Sequence, residues 1–302
     1  MLSELRQRLQ ALHRPAGIED DPGTLPLGIE AIDLALGGGL ARGALHEIAA
    51  ANEAHLAAAT GFALGVVSRA LLPVIPGGSH EPNGRMRANP DSRDQDLMLG
   101  PGFRARGLMP ASRTDAVLWI AEDMALAESG APYGPGLDAF GLAPERLLTV
   151  SAAHKRDLLW AMEEALRCRT VSAVIGELRH DDIDTVAVRR LSLAAAESGA
   201  LALLLRAAPP RDSSTAATRW IVGAAPSFPV IPGRGPMPAP RNDEELRDER
   251  NARFAATLVR NRRGPVGSWI IEWSDSDECF TLATHAQPVA APALDRPHRK
   301  IA

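Results

Sequence analysis

The sequence predicts an α/β fold: a three-layer sandwich whose mainly parallel central sheet continues into a C-terminal antiparallel β-meander. Short apolar runs alternate with helical segments between residues 43 and 205, a pattern typical of βαβ units. Three strand-like runs separated only by turns follow after residue 250, as in a meander. Hydrophobic residues make up 45% of the 302 residues, enough for the core that helices on both faces of a sheet require.

The first predicted elements, in chain order, are a helix over 2–13, a short helix over 29–36, a strand over 43–50 and a buried helix over 53–71. Three glycines follow the short helix and permit positive φ and a close approach of the main chain. The first helix carries Leu5, Leu9 and Leu12 on one side, at helical spacing. That stripe either packs on its own domain or docks on another chain.

The later elements complete the sheet. The remaining predicted strands of the parallel part cover residues 117–121, 147–150, 171–175, 201–205 and 218–222. The predicted helices cover residues 137–142, 155–167 and 183–198, the last of them capped by Asp181 or Asp182. The meander strands cover residues 255–260, 267–273 and 278–283.

Residues 24–285 form one predicted domain with two inserted loops. The stretches 73–113 and 226–250 are rich in Pro and polar residues and show no apolar period. Residues 1–15 are set apart as the N-terminal helix. The Pro- and Ala-rich tail 286–302 is expected to be disordered.

Charge and composition argue against several classes of protein. The net charge of −4 disfavours a strongly basic nucleic-acid binder. Cys168 and Cys279 lack the spacing of a zinc site or a disulfide framework. The N-terminus has no signal-like apolar segment, and no run of about 18 apolar residues occurs. We therefore expect a cytoplasmic protein without membrane contact.

The strand over 43–50, the loop after it and the next helix have the layout of a phosphate-binding loop. Such a loop needs glycines to curl around the phosphates, a lysine to reach them and a Ser or Thr hydroxyl for Mg²⁺. Here Ala50 begins a loop without glycine, and Leu56 and Ala57 stand where the lysine and the hydroxyl belong. Glu53 adds a negative charge, and no lysine precedes Lys155. This loop therefore indicates a degenerate site.

Other candidate residues do not form a catalytic site. Glu122 and Glu177 each follow a predicted strand, where ligands of open α/β sheets bind, but without a phosphate anchor they are interpreted as remnants. Residues 180–182 read as a helix N-cap rather than a metal site. His46 and His55 lack a visible partner carboxylate or nucleophile. We expect no enzyme activity, no cofactor and no metal.

The order of these pieces resembles the core of the RecA recombinase family. The resemblance rests on residues 27–40, on residues 43–48 and on the degenerate loop, and spans about residues 24–206. It implies a RecA-like three-layer sandwich. The strand ending in Glu122 looks like the one that carries that family's catalytic glutamate. The strand with Glu177 is similar to its Mg²⁺-supporting strand, with Glu in place of Asp.

The chain resembles the ImuA family more closely, over nearly its whole length except 73–113. The supporting segments are residues 44–47 before the degenerate loop, 217–222, and 258–265 followed by 269–273. The resemblance implies SOS-induced translesion DNA synthesis with ImuB, which is a Y-family-like polymerase relative, and with an error-prone replicative-type polymerase subunit. Contact with RecA is also implied.

We therefore expect a non-catalytic adaptor that works through protein contacts and associates with the nucleoid when it is bound to these partners. One candidate surface is the leucine stripe of the N-terminal helix. The other is a basic turn, with Arg253 upstream, that could contact DNA phosphates or a partner. The turn consists of Arg260, Arg262 and Arg263.

Two other functions stay open from the sequence. A divergent RecA-type ATPase or recombinase would share the predicted strand order. A cell-division inhibitor acting by protein contact is prompted only by the alternative label, SulA-like, that the family carries.

Overall fold

A computed structural model gives the fold. The structure describes residues 23–71, 96–98, 103–106, 116–168, 171–179, 183–210, 214–225 and 251–283, with the main chain alone for 96–98 and 103–106. Three predicted segments lie outside the described residues: the N-terminal helix with Leu5, Leu9 and Leu12, the whole stretch 226–250, and the tail from residue 286.

The predicted elements that fall within the described residues appear in the predicted order with small shifts of their ends, and several short elements are additional. The described strands are β1 (Thr24–Leu25), β2 (Leu40–Ala41), β3 (Leu45–Ala50), β4 (Asp96–Met98), β5 (Phe103–Arg106), β6 (Val117–Glu122), β7 (Leu147–Ala152), β8 (Ala173–Leu178), β9 (Leu201–Arg206), β10 (Thr218–Ala224), β11 (Ala252–Asn261), β12 (Gly267–Ser274) and β13 (Cys279–Leu282). The described helices are α1 (Glu30–Leu36), α2 (Leu56–Leu71), α3 (Asp123–Ser129), α4 (Gly134–Asp138), α5 (Lys155–Arg167) and α6 (Thr185–Ser198). Short 3₁₀ turns cover Glu53–His55 and Pro144–Arg146.

One sheet contains eleven of the described strands, in the order β13-β12-β11-β10-β3-β9-β8-β6-β7-β5-β4. The six strands from β10 to β7 in that order pair in parallel. On one side, β10 to β13 form an antiparallel meander. The predicted fold class, a mainly parallel sheet with a C-terminal antiparallel meander, is confirmed.

Helices cover the parallel part of the sheet on both faces, as parallel strands require. On one face α2 packs against β3, β9, β10 and β11. The core there holds the aromatic side chains of Phe62, Trp220, Phe254, Trp273 and Phe280. On the other face α5 and α6 pack against each other and against the central strands. The sheet therefore separates two cores.

The three-glycine turn after α1 behaves as the sequence predicts. Gly37 ends the helix in the left-handed conformation, with φ of 72°. At Gly39 a Cβ would lie 2.3 Å from the Leu25 carbonyl oxygen, so a side chain would break the pairing of β1 with β2. Positive φ and close main-chain approach explain why glycine occupies these positions.

Two helix boundaries differ from the prediction. The predicted helix over 137–142 is α4, Gly134–Asp138, because Pro135 favours a helix start and Gly141 takes a φ of +71° beyond the end. The cap of α6 is Asp184, whose Oδ1 accepts the amide hydrogen of Val186 at 3.1 Å. The predicted caps Asp181 and Asp182 lie outside the described residues.

The stretch 73–113 was expected to lack regular structure, but two of its segments are strands. β5 pairs antiparallel with the edge of β7, and β4 pairs with β5. Main-chain hydrogen bonds to a free edge can hold a strand without an apolar period in its sequence. β5 alternates apolar and charged residues, but over only four residues, and β4 has only three, so periodicity was too short a signal to predict them.

The described residues contain one helical segment, Glu53–Leu71, that is long and apolar enough to cross a membrane by length and composition alone. Sequence inspection had found no such run. In the structure 56% of the tested window is buried inside the protein. Burial of this kind is typical of a core helix.

A substitution at Gly65 of α2 would test how closely α2 packs against the aromatic core beneath it. A Cβ on Gly65 would lie 2.5 Å from Cζ of Phe280 and 3.0 Å from Cε3 of Trp273. We expect Gly65→Ala to lower the free energy of unfolding by about 1–3 kcal/mol through overpacking. Helix propensity alone would raise it by about 1 kcal/mol. Urea unfolding measures the difference.

The control is Gly136→Ala in α4, where the nearest atom to a new Cβ is Cδ1 of Tyr133 at 3.9 Å. This substitution should leave stability unchanged or slightly raised. If Gly65→Ala stabilised the protein as Gly136→Ala does, the close packing of α2 on the meander would be wrong.

Candidate functional site

The loop after β3 lies at the carboxyl edge of the parallel strands, where open α/β sheets bind ligands. β3 is buried along its whole length and ends at Ala50. The side chain of Asn52 caps the 3₁₀ turn, its Oδ1 accepting from the amide of Ala54 at 3.0 Å. The amide of His55 donates to the carbonyl of Asn52 at 2.9 Å.

Two hydrogen bonds join this loop to β10. The amide of Ala51 donates to the carbonyl of Val222 at 2.9 Å, and the amide of Ala224 donates to Nδ1 of His55 at 3.1 Å. Since Nδ1 accepts, the ring proton of neutral His55 lies on Nε2. Sequence reasoning found no partner for His55; its partner is a main-chain amide 169 residues away.

Three amides of this loop are therefore committed within the protein. A phosphate-binding loop directs its amides at the anion. Here the amides of Ala51, Ala54 and His55 all donate to other protein atoms. An anion at this place would have to displace those bonds.

The predicted substitutes for the phosphate-binding residues are placed as follows. Leu56 is half-buried and packs against the core beneath α2. Ala57 and Glu53 are exposed. Lys155, the first lysine in the chain, begins α5 on the opposite face of the sheet. Among the residues that the structure describes, no lysine lies at the loop.

Glu122 and Glu177 do not converge. Glu177 lies inside β8 rather than after it, in register with Ala121 of β6. Alternating side chains of a strand point to opposite faces, so Glu122 and Glu177 lie on opposite faces of the sheet. Glu177 faces the core under α2, where Ala121 also lies.

Glu177 is buried and has protein partners. Trp119 Nε1 donates to its Oε2 at 3.1 Å, and Arg179 Nε donates to its Oε1 at 3.1 Å. Its carboxylate thereby supports the fold. The predicted position of Glu177 after its strand was wrong, because β8 begins and ends later than the predicted run 171–175.

His46 forms a buried polar cluster between β3 and β10. Its Nε2 lies 2.9 Å from the carbonyl of Ala41, which can only accept, so the proton of the neutral ring lies there. Nδ1 then accepts from the hydroxyl of Thr218 at 2.7 Å. Trp220 Nε1 donates to the same Thr218 oxygen at 3.2 Å. Complete burial lowers the pKa of His46 to about 4.

Glu47 makes the second buried contact between these strands. Its Oε1 accepts from the hydroxyl of Ser214 at 2.6 Å, and its Oε2 accepts from Nε of Arg219 at 2.5 Å. Glu47 and Arg219 lie opposite each other in the register of β3 and β10. Sequence reasoning missed this pair. The available signal was two adjacent polar residues within an otherwise apolar strand.

The basic turn between β11 and β12 docks on the end of α1. Asn261 Nδ2 donates to the carbonyls of Ala35 and Pro265, at 2.7 and 3.0 Å. Arg263 Nη2 donates to the carbonyl of Gly37 at 3.3 Å. A Cβ on Gly264 would lie 2.2 Å from the Ala35 oxygen, so the turn needs glycine there.

The proposed cationic patch is smaller than expected. Arg262 and Arg263 are exposed, whereas Arg260 is half-buried with its Nε enclosed by protein. Arg253 pairs with Glu272, Nε to Oε2 at 2.9 Å, and does not extend the patch. Two exposed arginines therefore remain from the predicted group.

Within the part of the chain that the structure describes, no group of three His, Cys, Asp or Glu side chains is placed to hold a metal ion. Neither Cys168 nor Cys279 forms a disulfide. Residues 180–182, which the sequence indicates as a helix N-cap rather than a metal site, lie outside that part.

Comparison with known proteins gives two findings. Protein ImuA of Caulobacter vibrioides, from strains NA1000 / CB15N and ATCC 19089 / CIP 103742 / CB 15, is 30% identical over 167 residues, covering 52% of this chain and 60% of the relative. The chain thus spans about 60% of the length of the curated relatives it matches. This similarity supports the resemblance to the ImuA family.

The crystal structure of the RadB recombinase superposes on 84% of this chain and 98% of its own, with a TM-score of 0.47 and 13% identity. No family model matches the chain.

The cluster around His46 predicts a specific loss of stability in acid. In the unfolded chain histidine titrates near a pKa of about 6.5, whereas in the folded protein His46 titrates near about 4. Between these values the unfolded state binds more protons, so stability falls as the pH falls. The contribution of one such group is at most about 1.4 kcal/mol per pH unit.

We expect His46→Gln to be less stable than the parent at pH 7 but to depend less on pH between about 4 and 6.5. Urea unfolding across this range measures both. His154→Gln removes an exposed histidine at the start of α5 and serves as the control. Equal pH dependence in the parent and His46→Gln would show that the buried ring is not the titrating group.

Proposed function

We propose that this chain is a non-catalytic RecA-like adaptor in SOS-induced, error-prone translesion DNA synthesis. It acts by contacts with an ImuB-type polymerase relative, an error-prone polymerase subunit and RecA, in the cytoplasm and on the nucleoid when engaged. The 30% identity to Protein ImuA over 167 residues supports this assignment. The hydrogen bonding of the loop after β3 supports the proposal that the chain is non-catalytic.

The observation that carries the proposal is the bonding of this loop. Hydrogen bonds to a charged group contribute about 1.5–3 kcal/mol each. From the described residues a triphosphate here would gain no lysine, and the amides of Ala51, Ala54 and His55 already donate within the protein. Glu53 would repel it. The fold is kept while its nucleotide chemistry is lost.

The alternatives have less support. A divergent ATPase would need its two carboxylates near one reaction centre, and Glu122 and Glu177 lie on opposite faces of the sheet. A cell-division inhibitor has no specific feature of the described residues in its favour. The adaptor has both the sequence similarity and the altered loop.

The basic turn is better suited to a protein contact than to DNA. Arg262 and Arg263 are accompanied by exposed hydrophobic side chains of the same two segments, Leu34 of α1 at 72% exposure and Val266 after the turn at 59%. Mixed apolar and arginine surfaces are typical of protein interfaces. DNA contacts depend mainly on accumulated positive charge.

The function is tested by affinity purification of the tagged full-length chain from cells with damaged DNA. We expect recovery of the ImuB-type protein and the error-prone polymerase subunit, above the level from undamaged cells. A triple variant, Leu5→Ala, Leu9→Ala and Leu12→Ala, should recover less of at least one partner if the leucine stripe docks. Recovery of the division GTPase in place of polymerase proteins would overturn the proposal.

The double variant Arg262→Ala, Arg263→Ala separates the two uses of the turn. We expect weaker binding to the purified protein partner and unchanged retention of a single-stranded oligonucleotide. If the turn instead bound phosphates, parent affinity for the oligonucleotide would fall steeply with salt, and losing two contacts would reduce the log–log slope by about 1.4. That second result would assign the turn to DNA.

A further inference from the structure

The last turn of α1 and the turn between β11 and β12 form one continuous surface, which we call the α1–turn surface. Asn261 Nδ2 bridges the two segments, because it donates to the carbonyl of Ala35 at 2.7 Å and to that of Pro265 at 3.0 Å. The turn is also bonded to the chain before β10, where the amide of Arg262 donates to the carbonyl of Ala217 at 3.0 Å. These bonds fix the two segments relative to each other.

Two bulky apolar side chains of this surface are exposed to solvent. Leu34 of α1 is 72% exposed, and Val266, which follows the turn, is 59% exposed. Gly37, the residue that ends α1, lies about one helical turn beyond Leu34. The carbonyl of Gly37 accepts from Arg263 Nη2 at 3.3 Å. An exposed leucine and an exposed guanidinium are therefore neighbours on this surface.

The two segments that build the surface carry an excess of positive charge. Residues 251–271, which include the turn, contain four arginines and neither Asp nor Glu. Residues 34–46, which begin in the last turn of α1, contain one arginine and neither Asp nor Glu. Of these arginines, Arg262 and Arg263 are exposed on the turn. The surface is basic although the chain as a whole carries a net charge of −4.

The acidic side chains of α1 do not cancel this charge. Glu30 and Asp33 both lie in the first turn of the helix. The carboxylate of Asp33 accepts from the amides of Leu27 and Gly28, at 2.7 and 2.9 Å, and so holds the chain that enters α1. Glu30 is exposed about one turn before Leu34. Among the described residues of α1 and the turn, two exposed arginines thus stand against one exposed glutamate.

From this combination we propose that the α1–turn surface binds a short acidic segment of another protein that carries a bulky apolar residue. The apolar residue packs against Leu34 and Val266, and the flanking carboxylates face Arg262 and Arg263. Guanidinium groups bind carboxylates through charge-assisted and often paired hydrogen bonds. Opposite charge steers such a partner and disfavours basic ones. The inference rests on the proposed adaptor function, since it names the chemistry of one contact that an adaptor makes.

The surface is less suited to nucleic acid. Affinity for DNA is accumulated over many phosphate contacts. The turn offers the exposed Arg262 and Arg263, whereas Arg260 is half-buried with its Nε enclosed by protein. A phosphate backbone would use these arginines but leave Leu34 and Val266 in water. An acidic protein segment with an apolar residue uses all four side chains.

The test uses the full-length chain and a fluorescein-labelled acidic peptide with adjacent leucines among its aspartates and glutamates. Fluorescence anisotropy should show binding at least about tenfold tighter than that of a peptide in which serines replace the leucines, which corresponds to about 1.4 kcal/mol. A peptide in which lysines replace the acidic residues should bind no better than the serine peptide. The proposal requires both differences, because it assigns binding to charge and apolar contact together.

Two variants locate the binding site, each with a matched control. Arg262→Glu and Leu34→Ser change exposed side chains of the surface, and each should weaken binding of the acidic peptide by about tenfold or more. Arg156→Glu and Leu193→Ser make the same exchanges on α5 and α6, where these side chains are 90% and 55% exposed. Both controls should leave binding unchanged. Arg262→Glu should also bind the lysine peptide more tightly than the parent does.

Three outcomes would overturn the proposal. The three peptides could bind equally, which would indicate nonspecific attraction. Sedimentation could show self-association that Leu34→Ser abolishes, which would make a second copy of the chain the occupant. A single-stranded oligonucleotide could displace the acidic peptide and lose its own binding in Arg262→Glu, which would assign the surface to nucleic acid.

The peptides also separate this inference from the proposed function. If no peptide binds while the tagged chain still recovers polymerase proteins from damaged cells, the inference about the α1–turn surface fails and the proposed function stands. If the acidic peptide binds as described but the chain recovers no polymerase protein, the surface is confirmed and the proposed function fails.

Discussion

The pairing of β3 with β10 is the interaction on which the rest of the structure depends. β10 is the strand where the sheet changes from parallel to antiparallel pairing, and β3 is its parallel neighbour. The contacts between them beyond the strand ladder include His46 with Thr218, Glu47 with Arg219, Ala51 with Val222, and His55 with Ala224. Without them the helix-covered sheet and the meander would be joined by main-chain pairing and apolar packing alone.

The same contacts limit how well the loop at the carboxyl end of β3 could bind an anion. The bonds from Ala51 and Ala224 hold the loop against β10, and Asn52 satisfies another amide from within. A loop held in this way adds stability to the fold but presents few free donors to an anion.

The sequence predicted the fold well because apolar runs report burial, and buried strands and helices alternate here with little ambiguity. Its errors have physical causes. β5 is held by main-chain bonds to β7, and its alternation of apolar and charged residues covers only four positions, too few to predict a strand. The end of β8 was placed too early because Leu178 continues the strand beyond Glu177. The candidate site was predicted only from the phosphate-binding residues that the loop after β3 lacks.

Contacts between distant residues were the part that the sequence could not supply. Nothing local pairs His55 with the amide of Ala224, or His46 with Thr218, since each joins residues about 170 apart in the chain. The register of β3 against β10 decides which of their residues face each other, and that register depends on the packing of the whole sheet.

The most direct test of the central claim is the unfolding temperature and free energy of the full-length chain with and without Mg²⁺-ATP, together with release of phosphate. A site with a Kd of about 10 μM would add about 2.7 kcal/mol to the free energy of unfolding at about 1 mM ATP. The result expected here is no stabilisation and no phosphate above a protein-free blank. Stabilisation of that size, abolished by His55→Ala or Asn52→Ala, would contradict the view that the loop after β3 has lost its nucleotide.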